Sequence, residues 1–138
     1  MARQLCRELG IPHLDLDSLA WESAGVRKTL ATSIAEMEEF VRDKDDWIIE
    51  GCFGSLLQVA AGWCSEMRFH NPGVEVCINN NQARPWEPHK YSSPAAQDRN
   101  LQILQQWVGE YEARQDEYSL HIHQGLFSRY RGSKREYR

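Results

Sequence analysis

Short β-rich segments alternate with segments of helical periodicity along this 138-residue chain. The clearest β-rich segment, residues 46–51, has adjacent apolar residues followed by a glycine, which is typical of a strand buried in a parallel sheet. Residues 12–16 and 66–70 are predicted as two further short strands, the second with one solvated face. The alternation of strands and helices predicts an α/β fold with a parallel sheet.

Helices are predicted from apolar spacing and from end signals. Residues 2–9 are predicted to form one helix, and a second is predicted to begin near Ser33, because Ser33 and Glu36 have the spacing of a capping box. Ser93, followed by proline, marks the start of a long helix. Asp116 is predicted to cap the last helix of the chain.

Composition and charge exclude several classes of protein. Hydrophobic residues make up 41% and charged residues 26%, which is ordinary for a globular domain and excludes a disordered tail. The net charge of −4 argues against broad nucleic-acid binding. No apolar run approaches the roughly 18 residues of a membrane-spanning helix, and the first residues do not resemble a signal peptide. We therefore expect a cytoplasmic protein without a membrane partner.

Polar and glycine residues follow the carboxyl ends of two predicted strands. Asp15 and Asp17 follow the first strand, and Gly51 and Cys52 follow the second. Ligands of parallel α/β sheets bind beyond this edge of the sheet. The i,i+2 spacing of the aspartates predicts both carboxylates on one face of an extended segment. The alternative is that Asp17 simply caps a helix starting at Ser18.

Six segments of the sequence match a known family, namely residues 2–5, 9–12, 14–17, 46–51, 71–75 and 84–91. Through these segments the chain resembles the P-loop kinases related to shikimate and adenylate kinases. The last two are similar to a branch whose members are also labelled DNA topology modulation proteins. The resemblance implies a three-layer P-loop NTPase-like fold with a parallel sheet. It also implies that residues 1–138 form a single truncated domain whose lid segment spans about residues 79–92.

One defining part of the family is missing from the sequence. The chain contains no G-x-x-x-x-G-K-[ST] motif, the loop that surrounds ATP phosphates with backbone N–H groups and supplies a lysine and a hydroxyl for Mg²⁺. We expect ATP and Mg²⁺ to serve a full-length form and to bind this chain weakly. A mis-assigned start codon is our preferred explanation, and a real truncation is the alternative. A missing first strand would leave a sheet position unfilled and favour self-association.

The resemblance also assigns roles to residues at the predicted sheet edge. It implies that Asp17 is catalytic and contacts the acceptor hydroxyl, for which it is a candidate base. It implies that Asp15 binds substrate and helps to hold Mg²⁺ through water. Gly51, Cys52 and Phe53 are expected to bind the acceptor. Gly51 would let a substrate approach the backbone. The alternative is that Gly51 is a plain turn glycine, which explains the residue nearly as well.

Three cations are candidates for phosphate binding. Arg84 lies in the proline-interrupted segment that the resemblance identifies as the lid, where it is expected to be catalytic and to bind phosphate oxygens through its planar fork. Lys90 and Arg114 are expected to contribute further phosphate contacts. The alternatives are a solvated surface arginine at position 84 and, for Arg114, an interaction with a helix dipole.

Two functions from different classes follow from the sequence. The first is an ATP-dependent phosphotransferase in the full-length form, a kinase that acts on a small-molecule or nucleotide acceptor. The second is a non-catalytic, degenerate kinase-like fragment that serves as an interaction module. DNA binding is suggested only by a family label, and the acidic net charge argues against it.

Overall fold

The computed structural model describes residues 2–22, 26–88 and 91–138. It contains two compact units, which we call the first unit (Met1–Ser65) and the second unit (Glu66–Arg138). Each unit is treated below by itself, and the single-domain prediction for residues 1–138 stays a prediction. Lys90, one of the predicted phosphate-binding residues, lies outside the described residues.

The first unit is built on a small parallel sheet. Its elements are α1 (Ala2–Leu9), β1 (His13–Asp15), α2 (Leu16–Ala20), α3 (Leu30–Val41), β2 (Ile48–Glu50) and α4 (Gly54–Ala60). β1 pairs with β2 in parallel, with His13 opposite Ile48 and Asp15 opposite Glu50. The helices α2 and α3 lie between these strands in the chain, which is the helical crossover that parallel neighbours need.

The apolar core of the first unit lies where its short helices pack together. The buried apolar residues are Leu16, Leu19, Ala20, Met37, Phe53, Leu56 and Ala60. Ser33 of α3 is also buried, and its Oγ donates a hydrogen bond of 3.3 Å to the carbonyl oxygen of Leu19. The buried hydroxyl is therefore satisfied and ties α3 to α2.

The predicted helix near Ser33 is present as α3, but the predicted capping box at Ser33 is wrong. The helix begins at Leu30, and its N-cap is Thr29, whose side chain accepts a hydrogen bond of 3.2 Å from the N–H of Thr32. Ser33 lies inside the helix, so its spacing to Glu36 does not form a capping box. Threonine is also a good N-cap residue, but no clear apolar period before Leu30 marked it as one.

The second unit is also mixed α/β. Its elements are β3 (Glu66–His70), α5 (Val74–Gln82), α6 (Pro94–Gly109), α7 (Leu120–Arg129) and β4 (Ser133–Tyr137). β3 pairs with β4 in parallel, with Glu66 opposite Ser133. Along β3, Met67 and Phe69 are half-buried, whereas Arg68 and His70 are exposed. The predicted strand with one solvated face is confirmed.

One of the two predicted helix caps in the second unit is confirmed and the other is wrong. Ser93 caps α6, since its Oγ accepts a hydrogen bond of 3.1 Å from the N–H of Ala96. The cap of α7 is Ser119, which accepts from the N–H of Ile122 at 3.2 Å. Asp116 instead accepts from the N–H of Tyr118 in the preceding turn.

The architecture is therefore mixed α/β, with two short parallel sheets of two strands each among the described residues. The predicted α/β class and the parallel direction of the strands are confirmed. The finer prediction of a three-layer P-loop NTPase-like sheet stays a prediction. Within the described part of the chain, none of the helices has the length and apolar character needed to cross a bilayer.

Candidate functional site

The first unit brings one group of the predicted residues to a common edge. Because β1 and β2 run in parallel with Asp15 opposite Glu50, both strands end at the same level. Gly51, Cys52 and Phe53 follow directly from the end of β2. This is the edge of a parallel sheet at which α/β proteins bind their ligands. We call Asp15, Asp17 and residues 50–53 the carboxyl edge.

The two aspartates of the carboxyl edge have different geometries. Asp15 is the N-cap of α2, and its Oδ1 accepts a hydrogen bond of 3.0 Å from the N–H of Asp17. Asp17 lies exposed in the first turn of the helix. The prediction that both carboxylates share one face of an extended segment is wrong, because the chain turns into a helix at Leu16. The alternative cap at Asp17 is also wrong, since Asp15 performs that role.

Packing explains the glycine of the carboxyl edge. Gly51 has a φ of +155°, and a Cβ atom placed there would lie 2.7 Å from the Cβ of Leu16. Such a contact is far inside van der Waals distance, so any larger residue would push α2 away from the end of β2. The close approach that Gly51 permits is thus to Leu16, and its contact with a substrate stays a prediction.

An arginine that sequence reasoning missed lies over the carboxyl edge. The guanidinium carbon of Arg27 is 4.4 Å from the ring centroid of Phe53 and 5.7 Å from that of Trp21. Phe53 is 2% exposed, whereas Trp21 is 44% exposed. Residues 21–32 have no periodic pattern, and the contact joins residues far apart in sequence. Trp21 and Arg27 also form an isolated antiparallel bridge, which no sequence pattern predicted.

Two polar side-chain pairs of the first unit were also missed. His13 Nε2 lies 2.9 Å from Glu50 Oε1, a diagonal contact between neighbouring strands. Lys28 Nζ lies 2.7 Å from both carboxylate oxygens of Glu36, so the segment before α3 is fastened to that helix. Both pairs connect residues that are brought together only by the fold, and neither has a spacing that would identify it from sequence.

Arg84, the predicted catalytic arginine, belongs to the second unit. Its side chain is 47% exposed, and its Nη1 is 3.9 Å from Glu87 Oε2. Its Nη2 donates a hydrogen bond of 3.1 Å to Oδ1 of Asn81, one turn earlier. Asp15 and Asp17 lie in the first unit, so the predicted approach of Arg84 to these aspartates stays a prediction.

A glutamine of α6 binds the backbone of the segment around Arg84. Gln97 Oε1 accepts a hydrogen bond of 2.8 Å from the N–H of Glu87. Gln97 Nε2 donates one of 3.2 Å to the carbonyl oxygen of Pro85. One amide side chain therefore satisfies a backbone donor and a backbone acceptor of the predicted lid segment. We call this contact the Gln97 clasp.

Arg114 is held by contacts within the second unit. Its Nη2 and Nε lie 2.6 Å and 3.1 Å from Asp116 Oδ2, and its guanidinium carbon is 4.4 Å from the ring centroid of Trp107. The hydrogen bonds from Arg114 lower the pKa of the Asp116 carboxyl below its usual value. These contacts account for the arginine by structure alone, and its contact with phosphate stays a prediction.

The second unit contains a groove that none of the predicted site residues lines. Its volume is about 460 Å³, and its lining includes Phe69, Phe127, His121 and Glu136. The ring centroids of Phe69 and Phe127, both in this lining, lie 5.6 Å apart. The groove is open and its lining mixes apolar with polar groups, so it indicates no particular ligand. The carboxyl edge of the first unit offers a more defined set of chemical groups.

Metal ligands are sparse in the described ranges. Residues 2–22, 26–88 and 91–138 contain no cluster of three or more His, Cys, Asp or Glu side chains able to hold a metal ion. At the carboxyl edge, Asp15 uses one carboxylate oxygen to cap α2. The contact of Asp15 with Mg²⁺ through water stays a prediction.

No family model matches the chain, and searches of curated proteins and of solved structures also find no match. The resemblance to P-loop kinases therefore rests on the sequence segments named above. A function has to be argued from the chemistry of the carboxyl edge.

Proposed function

We propose that residues 1–138 are the acceptor-binding portion of an ATP-dependent phosphotransferase, a P-loop-type kinase for a small-molecule or nucleotide acceptor. The observation that carries the proposal is the in-register parallel pairing of β1 with β2, which aligns Asp15 with the end of β2. Phosphoryl transfer depends mainly on positioning and on charge neutralisation. A carboxylate that accepts a hydrogen bond from an acceptor hydroxyl at this edge would position the acceptor.

The two aspartates would then have separate tasks. Asp17 is exposed in the first turn of α2, where its carboxylate can accept a hydrogen bond from the acceptor hydroxyl and orient its oxygen for attack. Asp15 holds the backbone N–H of Asp17 at 3.0 Å and so acts as a positioning residue for it. Because Gly51 lets Leu16 pack against the end of β2, the first turn of α2 is fixed to the sheet.

ATP would supply the transferred phosphoryl group when it is bound. The chain has no G-x-x-x-x-G-K-[ST] motif, so we propose that a glycine-rich loop encoded in frame before Met1 holds the phosphates. Within the described residues, β1 and β2 pair only with each other, and so do β3 and β4. These short sheets are compatible with a further strand in the longer protein.

The test begins with the DNA that precedes the first codon. We expect an in-frame G-x-x-x-x-G-K-[ST], and we expect the longer product to bind Mg-ATP far more tightly than residues 1–138 in calorimetry.

Asp17→Asn should lower acceptor-dependent ADP release by about 100-fold or more in the longer product, since a positioned acid or base contributes about that much. Asp43→Asn, an exposed carboxylate of the same unit, is the matched control.

Two results would contradict the proposal. One is the absence of such a motif upstream together with no ADP release from any hydroxyl- or phosphate-bearing acceptor. The other is tight Mg-ATP binding by residues 1–138, which would refute the role assigned to the missing loop.

A non-catalytic interaction module is the second candidate. Two observations favour it. In the second unit, Leu126 is the single buried apolar residue among those described. In the first unit, Ile48 and Ile49 of β2 are only half-buried. Incompletely covered strands favour association between chains. Light scattering should then show oligomers and a melting temperature that rises with concentration. A monomer with a sharp, concentration-independent melt would exclude this candidate.

A further inference from the structure

One edge of β4 is open. Among the described residues, β4 pairs with β3 alone. The N–H of Asn71 donates a hydrogen bond of 2.7 Å to the carbonyl oxygen of Tyr137, so the backbone groups of Tyr137 point towards β3. Because these directions alternate along a strand, the N–H and carbonyl groups of Lys134 and Glu136 point away from β3. No described residue bonds to them, and we call this row of donors and acceptors the open edge of β4.

The segment that carries the open edge is strongly basic. Residues 129–138 contain five of the sixteen Lys and Arg residues and one of the twenty Asp and Glu residues, a net charge of +4 in a chain whose total is −4. Lys134 is already bound to the carbonyl oxygens at the end of α7. Arg135 is 67% exposed, and its ion pair with Glu66 is long, at 3.7 Å. The charge that β4 offers to a partner therefore comes mainly from arginine.

These charges argue against a second copy of β4 as the partner. In the antiparallel register that pairs the whole strand with itself, Arg135 lies opposite Arg135 of the other copy. In the next register that the outward backbone groups allow, Glu136 lies opposite Glu136, and Lys134 lies opposite Arg138. Like charges directly opposite one another destabilise a strand pair, which is how charged edge strands avoid self-pairing. An acidic strand would instead place a carboxylate opposite Arg135.

A peptide fits this edge better than a nucleic acid does. The open edge presents carbonyl acceptors as well as N–H donors, and an extended peptide supplies a partner for both. Phosphate groups accept hydrogen bonds but cannot donate to the carbonyl oxygens. Glu136 lies beside Phe127 of α7, so its neighbour Arg135 lies on the opposite face of the strand. Alternate residues of an added strand would therefore meet Arg135.

We propose that the open edge of β4 binds an acidic protein segment, which adds to the sheet as a further strand with alternate carboxylates beside Arg135. Backbone hydrogen bonds to Lys134 and Glu136 hold the segment, and the arginine selects for acidic side chains. The proposal is independent of the phosphotransferase function, because β4 belongs to the second unit and the carboxyl edge to the first.

The test is amide hydrogen exchange, followed by ¹⁵N NMR, on residues 1–138 with the peptide acetyl-Glu-Val-Glu-Val-Glu-Val-amide. The N–H groups of Lys134 and Glu136 should become protected as the peptide saturates the protein. Those of Arg135 and Tyr137 already face β3 and should change little.

Two control peptides separate charge from backbone pairing. Acetyl-Gln-Val-Gln-Val-Gln-Val-amide keeps the valines but is neutral, and it should bind at least about threefold more weakly. Acetyl-Glu-Pro-Glu-Pro-Glu-Pro-amide keeps the charge but lacks the N–H groups of alternate residues, and it should give no protection.

Arg135→Glu should weaken binding of the acidic peptide about tenfold, because it places like charges across the strand pair. Arg99→Glu changes the net charge equally, on the exposed surface of α6 in the same unit, and should leave the affinity unchanged. If the Arg135 variant does not fold, the exchange pattern of the natural chain with the three peptides decides the question.

Four results would overturn the proposal. The first is no protection at Lys134 and Glu136 with the acidic peptide. The second is equal affinity for the neutral peptide, and the third is equal protection by the proline peptide. The fourth is binding of oligouridylate at β4 without binding of the acidic peptide, which would make the basic segment a nucleic-acid surface.

Discussion

The two units bury apolar side chains to very different extents. Of the apolar residues that are buried in the described part of the chain, the first unit contains seven and the second contains Leu126. The second unit has longer helices, including α6 (Pro94–Gly109), yet most of their apolar side chains are only partly covered. Helix length therefore does not create a core, because side chains have to meet a second layer to be buried.

Polar side chains that bind the backbone partly replace the missing core in the second unit. Lys134 Nζ donates to the carbonyl oxygens of Phe127, Ser128 and Tyr130 at 3.0, 3.0 and 3.1 Å, which satisfies the end of α7. The Gln97 clasp acts in the same way, and so does Arg114, whose Nη1 donates a hydrogen bond of 3.4 Å to the carbonyl oxygen of Trp107. Exposed polar contacts each contribute little, so we expect the second unit to open more readily than the first.

Met37→Ala should give the largest effect, because Met37 is completely buried in the first unit. Loss of the side chain leaves a cavity and should reduce the free energy of unfolding by about 3 kcal/mol. The matched change in the second unit, Met67→Ala on the half-buried face of β3, should cost about 1 kcal/mol. Urea unfolding with hydrogen exchange in each unit measures both. Equal costs would remove the contrast between the units.

Gly51→Ala should destabilise the first unit by about 2 kcal/mol, since the new Cβ overlaps Leu16. Combining it with Leu16→Gly should cost less than the sum of the two single changes, because that change removes the Leu16 Cβ atom that the new Cβ overlaps. The control is Gly109→Ala in α6, where a Cβ atom meets nothing within 4 Å and helix propensity predicts a gain of about 0.5 kcal/mol. A strictly additive double variant would contradict the packing explanation.

Local signals explain which parts of the fold could be predicted. The residue pair Ser93-Pro94 marks a helix start by chain chemistry alone, and α6 begins there. Ser33 looked like a helix start because it has the right neighbour at Glu36, but it is buried against α2 by tertiary packing. The contact of Arg27 with Phe53 joins segments that only the fold brings together. Sequence therefore located the carboxyl edge but not the cation over it.

Gln97→Ala should have an intermediate effect in the second unit. It removes both hydrogen bonds of the Gln97 clasp and should cost about 1 kcal/mol. The clearer readout is amide exchange at Glu87, whose N–H loses its acceptor and should exchange faster. Gln102→Ala, an exposed position on the same helix, should leave that exchange rate unchanged. No change at Glu87 in the Gln97 variant would mean that the clasp does not hold the segment.

Asp116→Asn should give the smallest effect, and one that depends on pH. Arg114 lowers the folded-state pKa of Asp116 from its usual value of 3.8, so the carboxylate stabilises the fold above that value. This contribution is lost as pH falls through the lower folded pKa. Because Asp116 is 47% exposed, we expect only about 0.5 kcal/mol at pH 7.

The measurement for Asp116 is thermal unfolding of both proteins between pH 7 and pH 3. The difference between them should shrink below about pH 4, since an unpaired aspartate is largely protonated there. Asp98→Asn, on the exposed surface of α6, is the control and should show no such trend. A difference that stays constant over this range would show that the ion pair with Arg114 has no net effect on folding.

The pairing of β3 with β4 also has a consequence for how the protein is made. Glu66 pairs with Ser133, so more than 60 residues separate the partners. On the ribosome, β3 emerges well before its partner strand is synthesised and exposes an unpaired edge during that interval. Closing so long a loop is entropically costly and slows folding. Nascent chains of this protein should accordingly depend on chaperones until the segment Ser133–Tyr137 has left the exit tunnel.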